Sequence, residues 1–125
     1  MQDWLSKSSG DLGRAIGAGD VDPVNLAHAF FDRIEAHPLK DRIYARLTKD
    51  RAMAEARAAS DRAMSGQRLS LLDGVPISWK DLFDTAGEGT EAGSNLLKDR
   101  VPDVDAVVLQ NASTAGLVCL GKTHM

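Results

Sequence analysis

The sequence predicts an α/β fold, and three observations carry that expectation. Helix-period apolar patterning dominates the first 66 residues, two short apolar runs of strand character follow near 75–79 and 117–120, and a helical pattern lies between those runs. Helix, strand, loop, helix and strand in this order suit a layered α/β arrangement. Two or three short strands cannot complete a sheet covered on both faces, so the expected sheet is an incomplete one.

A short helix is expected around 11–16, closed by Gly17 and Gly19. Next, Asp22-Pro23 supplies a cap and a first-turn proline. Ala27, Phe30, Phe31 and Ile34 then recur at offsets 0, 3, 4 and 7, making one apolar face that His37-Pro38 ends. Ile43, Ala45 and Leu47 alternate with Tyr44 and Arg46, as in a short strand. Thr48 is placed to cap a long alanine-rich helix over 49–65, with Gly66 in the stop position.

Beyond Gly66 the pattern changes. Val75, Ile77 and Trp79 share one face of a strand, whereas Ser78 and Lys80 take the other. Residues 84–102 show little periodicity and read as a long loop, a type that in compact domains is usually functional. A helix over 103–115 is expected, capped by Asp103 and stopped by Gly116, followed by a buried strand over 117–120. The expected second-half order is strand, loop, helix, strand, with the two strands in one sheet and the helix crossing a face. Unpaired edges and open apolar faces at Val75, Ile77 and 117–120 would leave the isolated chain marginally stable.

Bulk composition narrows the function classes. With 125 residues, 43% hydrophobic and 26% charged, the chain fits one small globular domain. A net charge of −3 and a pI near 5.5 offer no field for phosphates, so nucleic-acid binding is not expected. The first residues lack a basic and apolar leader, and no apolar run approaches the length of a membrane span, which points to a cytoplasmic protein without a membrane role. The single cysteine, Cys119, sits in an apolar run and reads as a small buried hydrophobe.

Two nucleotide-like motifs fail on context. Gly116-Leu117-Val118-Cys119-Leu120-Gly121-Lys122-Thr123 matches the phosphate-loop pattern, but a helix precedes it and its interior is an apolar strand. Lys122 is therefore expected to matter far less to activity than Lys80. Gly87-Glu88-Gly89-Thr90-Glu91-Ala92-Gly93 has one residue too many for a dinucleotide fingerprint, and its two glutamates would repel a pyrophosphate. His28, His37 and His124 lie at no metal-ligand spacing, so neither a metal nor a cofactor is expected.

Lys80 remains. A lysine beside an aspartate is most often a solvated surface pair. Here it ends an apolar strand next to the bulk of Trp79, where burial would disfavour the ammonium form and bring its pKa toward neutrality. A neutral lysine can take a serine's proton directly or through a relay.

The residues from Leu72 to Met125 resemble the amidase signature family. Asp73-Gly74-Val75-Pro76 and Lys80-Asp81-Leu82-Phe83-Asp84-Thr85-Ala86-Gly87 match its lysine segment, and Thr90, Ala92-Gly93-Ser94, Asp105-Ala106, Ala115-Gly116 and Gly121-Lys122-Thr123 continue the match in order. Three departures from the family's habit stand out: Trp79 replaces a small aliphatic residue, Glu88-Gly89 an apolar-proline pair, and His124 an asparagine.

The resemblance implies a layered α/β/α fold with a mixed sheet, of which residues 1–125 form the N-terminal portion: helical over 1–66, strand-loop-helix-strand over 67–125. It also implies that Lys80 is the lysine of a Ser–cis-Ser–Lys triad that hydrolyses a carboxamide C–N bond of a small molecule. Both triad serines are then expected after Met125. Ser78, Ser94 and Ser113 lie in no glycine-serine-rich segment and receive no triad role. Taken by itself, the chain is expected to be inactive. Two alternatives stand beside an amidase: the A subunit of a glutamine-dependent aminoacyl-tRNA amidotransferase, which requires partner subunits, and a non-catalytic truncated product. A homo-oligomer fits the first reading.

Overall fold

The computed structural model describes residues 3–125. The reading of the first residues as leaderless falls partly on Met1 and Gln2, outside the described residues. A 3₁₀ turn at Trp4–Ser6 leads into α1 (Ser9–Ala18), α2 (Pro23–Ala36), α3 (Lys40–Ile43), β1 (Tyr44–Leu47), α4 (Lys49–Ser65), β2 (Pro76–Lys80), α5 (Val107–Thr114) and β3 (Val118–Thr123). A second 3₁₀ turn, Asn95–Leu97, lies within the loop between β2 and α5. The expected α/β class is what the chain adopts.

The sheet is mixed, in the order β1-β3-β2. β3 runs parallel to β2 and antiparallel to β1, and each pairing contains a one-residue irregularity. Opposite β2 the extra residue is Leu120; opposite β3 it is Ala45. These bulges let β3 bring Lys122 opposite both Trp79 and Arg46.

Helix packing follows the periodicity. On α2, Leu26 joins Leu12, Ile16 and Val75 in one buried cluster, while Ala27 and Phe31 join Ala52, Ala56, Val118 and Leu120 in another. Ala52, Ala56 and Ala59 form the buried stripe of α4, and their small side chains allow that helix to lie close against β3. Of the residues expected to present open apolar surface, Val75, Val118, Cys119 and Leu120 are buried by this packing, while Ile77 and Leu117 stay half-buried. Among the described residues the most exposed large apolar side chains are instead Leu96, Met64, Leu71, Val104 and Val107.

Several boundaries differ from the sequence expectation, each for an identifiable reason. α1 runs through Gly17 and ends at Gly19, whose backbone is left-handed. Thr48 precedes α4 as expected, yet its hydroxyl donates to the Cys119 carbonyl at 2.8 Å rather than capping the helix. That bond commits the capping group to holding α4 against β3.

α5 starts at Val107, so Asp103 does not cap it. Asp105 and Ala106 are held out of the helix: the Ala106 N–H donates to the Asp84 carbonyl, and the Asp105 carboxylate accepts from the Ala86 N–H, both at 2.8 Å. β3 extends past 120 through Gly121, Lys122 and Thr123, because those residues complete the ladder with both neighbours.

Candidate active site

Lys80 is the last residue of β2, in register with Thr123 of β3. Its side chain is exposed among the described residues. The desolvation expected at this position is therefore not supplied by Trp79, whose half-buried ring meets Phe83 edge-on with centroids 5.7 Å apart. The fully buried lysine is Lys122. Burial pushes its ammonium below the ordinary lysine value, with Asp81 opposing that shift.

Asp81 joins these two lysines. It follows Lys80 in the chain, is almost completely buried, and has every polar group engaged. Its N–H donates to the Thr123 carbonyl at 2.9 Å, and its carbonyl accepts from the Ala92 N–H at 2.8 Å. One carboxylate oxygen accepts from Arg46 Nη1 and, at 3.5 Å, from Lys122 Nζ; the other accepts from the Glu91 N–H at 3.3 Å. Lys122 Nζ donates in addition to Thr90 Oγ1 at 3.0 Å.

The run 87–93, rejected above as a phosphate cradle, wraps this cluster. Arg46 Nη1 donates to the Gly89 carbonyl at 2.6 Å, and Glu91 approaches Arg46 at 3.8 Å. Two cations thus face two carboxylates in a site shared by β1, β2, β3 and the loop. Arg46, Asp81 and Glu91 also line a cleft of about 350 Å³, together with Ser94, Lys98 and His124. His124 is held by its N–H to the Ile43 carbonyl and by its ring to the Asp41 carbonyl, both at 2.9 Å.

A second network fixes the far end of the loop. Arg51 on α4 forms a two-pronged ion pair with Asp105 at 2.8 and 2.9 Å and donates to Ser113 at 3.2 Å. Glu55 accepts the Cys119 N–H at 3.0 Å, and burial raises its carboxyl above the ordinary glutamate value against the pull of that bond and of Arg51. Cys119 is buried, and desolvation raises its thiol.

The three serines left without a triad role all have structural partners. Ser78 bonds the Tyr44 hydroxyl at 2.7 Å, Ser94 accepts from the Leu96 N–H at 3.2 Å, and Ser113 accepts from Arg51. Sequence reasoning singled out Lys80 but assigned no role to Arg46, Asp81, Thr90 or Lys122. The signal that could have found them was Lys122 itself: a charge at the end of a buried strand requires a counter-charge.

What this arrangement offers chemically is one accessible amine on a strand end, followed by a residue whose every polar group is hydrogen-bonded. The sequence profile of the Amidase family matches residues 25–125. The A chain of the glutamyl-tRNA(Gln) amidotransferase from Marinobacter nauticus (strain ATCC 700491 / DSM 11845 / VT8) is 38% identical over 120 residues, covering 96% of this chain and 24% of that protein. Among solved structures, the native peptide amidase from Stenotrophomonas maltophilia superposes with a TM-score of 0.88 at 31% identity, over 97% of this chain and 25% of that one. A bacterial aryl acylamidase of the amidase signature family gives 0.83 at 26% identity, over 94% and 25%. The chain thus spans about a quarter of the length of the relatives it matches.

Proposed function

Because this chain belongs to the amidase signature family, we infer that it supplies Lys80 as the base of a Ser–cis-Ser–Lys triad that cleaves a carboxamide C–N bond. One observation carries the reading: within the matched region, the lysine of the Lys80-Asp81-Leu82-Phe83-Asp84-Thr85 segment stands exposed at the end of β2, while the aspartate beside it is buried and clamped. On this reading the two serines and the oxyanion donors belong to sequence after Met125, and residues 1–125 are the lysine-bearing portion of one amidase domain.

As base, the Lys80 amine takes a proton from the relay serine, which takes one from the nucleophile. The resulting alkoxide adds to the amide carbon, and backbone N–H groups hold the tetrahedral oxyanion. Collapse breaks the C–N bond as the proton returns along the relay to the leaving nitrogen. Water then hydrolyses the acyl-enzyme by the same route. A base at the end of β2 must lose its water shell to work, so the residues that cover Lys80 belong to the same continuation as the serines.

The test is an assay of the longer polypeptide on a panel of primary amides, with the 125-residue chain as the comparison. The shorter chain should show no hydrolysis above buffer. In the longer one, Lys80→Ala should lower kcat by at least about a hundredfold, the low end of general-base contributions. Unchanged kcat in a correctly folded Lys80→Ala protein would falsify the assignment.

The relatives' name favours a second reading, in which the same chemistry releases ammonia from glutamine for a tRNA-linked acceptor and partner subunits are required. Glutamine hydrolysis that appears only with those subunits and the charged tRNA would select it over a free-standing amidase of small amides.

A further inference from the structure

We propose that Asp81, clamped by Lys122, Arg46 and the 88–92 loop, is a positioning residue that aims Lys80. The inference rests on Lys80 being the base, and it assigns a task to a buried cluster that the triad does not use. The alternative is that the cluster merely stabilises the fold.

The geometry favours positioning. A residue next to a base can swing that base unless its own peptide groups and side chain are tied. Asp81 is tied at every one: to Thr123 by its N–H, to Ala92 by its carbonyl, and to Arg46, Lys122 and Glu91 by its carboxylate. The Lys80 carbonyl is likewise held by the Phe83 N–H at 3.1 Å. The peptide that follows Lys80 is therefore held at both its carbonyl and its N–H, and the one before it by the ladder with β3 and by the Thr123 hydroxyl, which donates to the Trp79 carbonyl at 3.4 Å.

Lys122 secures the arrangement from β3. It is fully buried, and its ammonium bridges Asp81 to Thr90 of the loop at 3.5 and 3.0 Å. Loosening either contact frees the turn that follows Lys80 without touching Lys80. A displacement of about 1 Å at a catalytic group costs up to about a hundredfold in rate.

The experiment measures kcat and KM per folded active site in the longer polypeptide for Asp81→Asn, Thr90→Val, Lys122→Met and Lys122→Arg, beside Lys80→Ala. Positioning predicts a fall in kcat of about ten- to a hundredfold for Asp81→Asn and Lys122→Met, with KM within about twofold and partial recovery in Lys122→Arg. Thr90→Val, which keeps the shape of the side chain but removes the hydroxyl that accepts from Lys122 and donates to the Glu88 carbonyl, should lower kcat in the same way if Asp81→Asn fails to fold. A purely structural cluster would lower the yield of folded enzyme and leave kcat per folded site unchanged; that result in Thr90→Val or Asp81→Asn, with Lys80→Ala inactive, overturns this inference alone. Full activity in Lys80→Ala overturns both this inference and the function it rests on.

Discussion

Lys122 and Asp81 form a buried ion pair across the β2–β3 junction, 3.5 Å between Nζ and Oδ1, with neither side chain appreciably exposed. The pair is unequal. Asp81 keeps Arg46 if Lys122 is lost, whereas Lys122 keeps only the neutral Thr90 hydroxyl if Asp81 is lost. Removing the partner of a buried charge costs about 3–5 kcal/mol. Asp81→Ala should therefore destabilise the protein by about that amount, and Lys122→Met by clearly less. Denaturant titration of both variants checks the order, and equal losses would contradict it.

Lys80 should behave in the opposite sense. Its side chain is exposed, so in the 125-residue chain Lys80→Ala should change stability by no more than about 0.5 kcal/mol, while in the longer polypeptide it should remove activity. A thermal melt of Lys80→Ala alongside wild type separates the two effects. A loss of several degrees would show that Lys80 contributes packing as well as chemistry.

Gly116 links the end of α5 to the turn before β2. Its φ of +90° is left-handed, its carbonyl accepts the Gly74 N–H at 2.8 Å, and a Cβ there would overlap the Asp73 carboxylate. Asp73 has no room to yield, because both its oxygens bond Arg62 at 2.8 Å. Gly116→Ala should cost at least about 2 kcal/mol, from backbone strain together with displacement of that pair. In the Asp73→Ala background the carboxylate that this Cβ would strike is gone, so Gly116→Ala should cost less there than in wild type, a difference that a double-mutant cycle measures directly.

Glu55 predicts a pH dependence. Its folded carboxyl lies above the ordinary value of 4.5, raised by burial. The folded chain therefore holds that proton more tightly than the unfolded chain. The resulting stabilisation is complete below pH 4.5 and is lost as pH rises through the folded value. Glu55→Gln keeps an acceptor for the Cys119 N–H but does not ionise. Wild type should thus lose stability relative to Glu55→Gln on going from about pH 4 to neutrality. A constant difference across that range would refute the assignment.

The local elements were legible in the sequence because short-range physics sets them. Asp22-Pro23 starts α2, the Ala27-Phe31 face is buried, and Gly66 ends α4, since capping, fixed proline φ and helical periodicity depend on neighbours in the chain. Lys80 was singled out for another reason: its motif surrounds it in sequence. What only the tertiary structure decided were the long-range charges. Lys122 is buried, Thr48 bonds Cys119 instead of capping α4, and Asp105 serves Arg51 and Ala86. Each depends on a partner more than ten residues away, and a polar group in a low-dielectric interior is governed by the partner that folding brings to it rather than by its sequence neighbours.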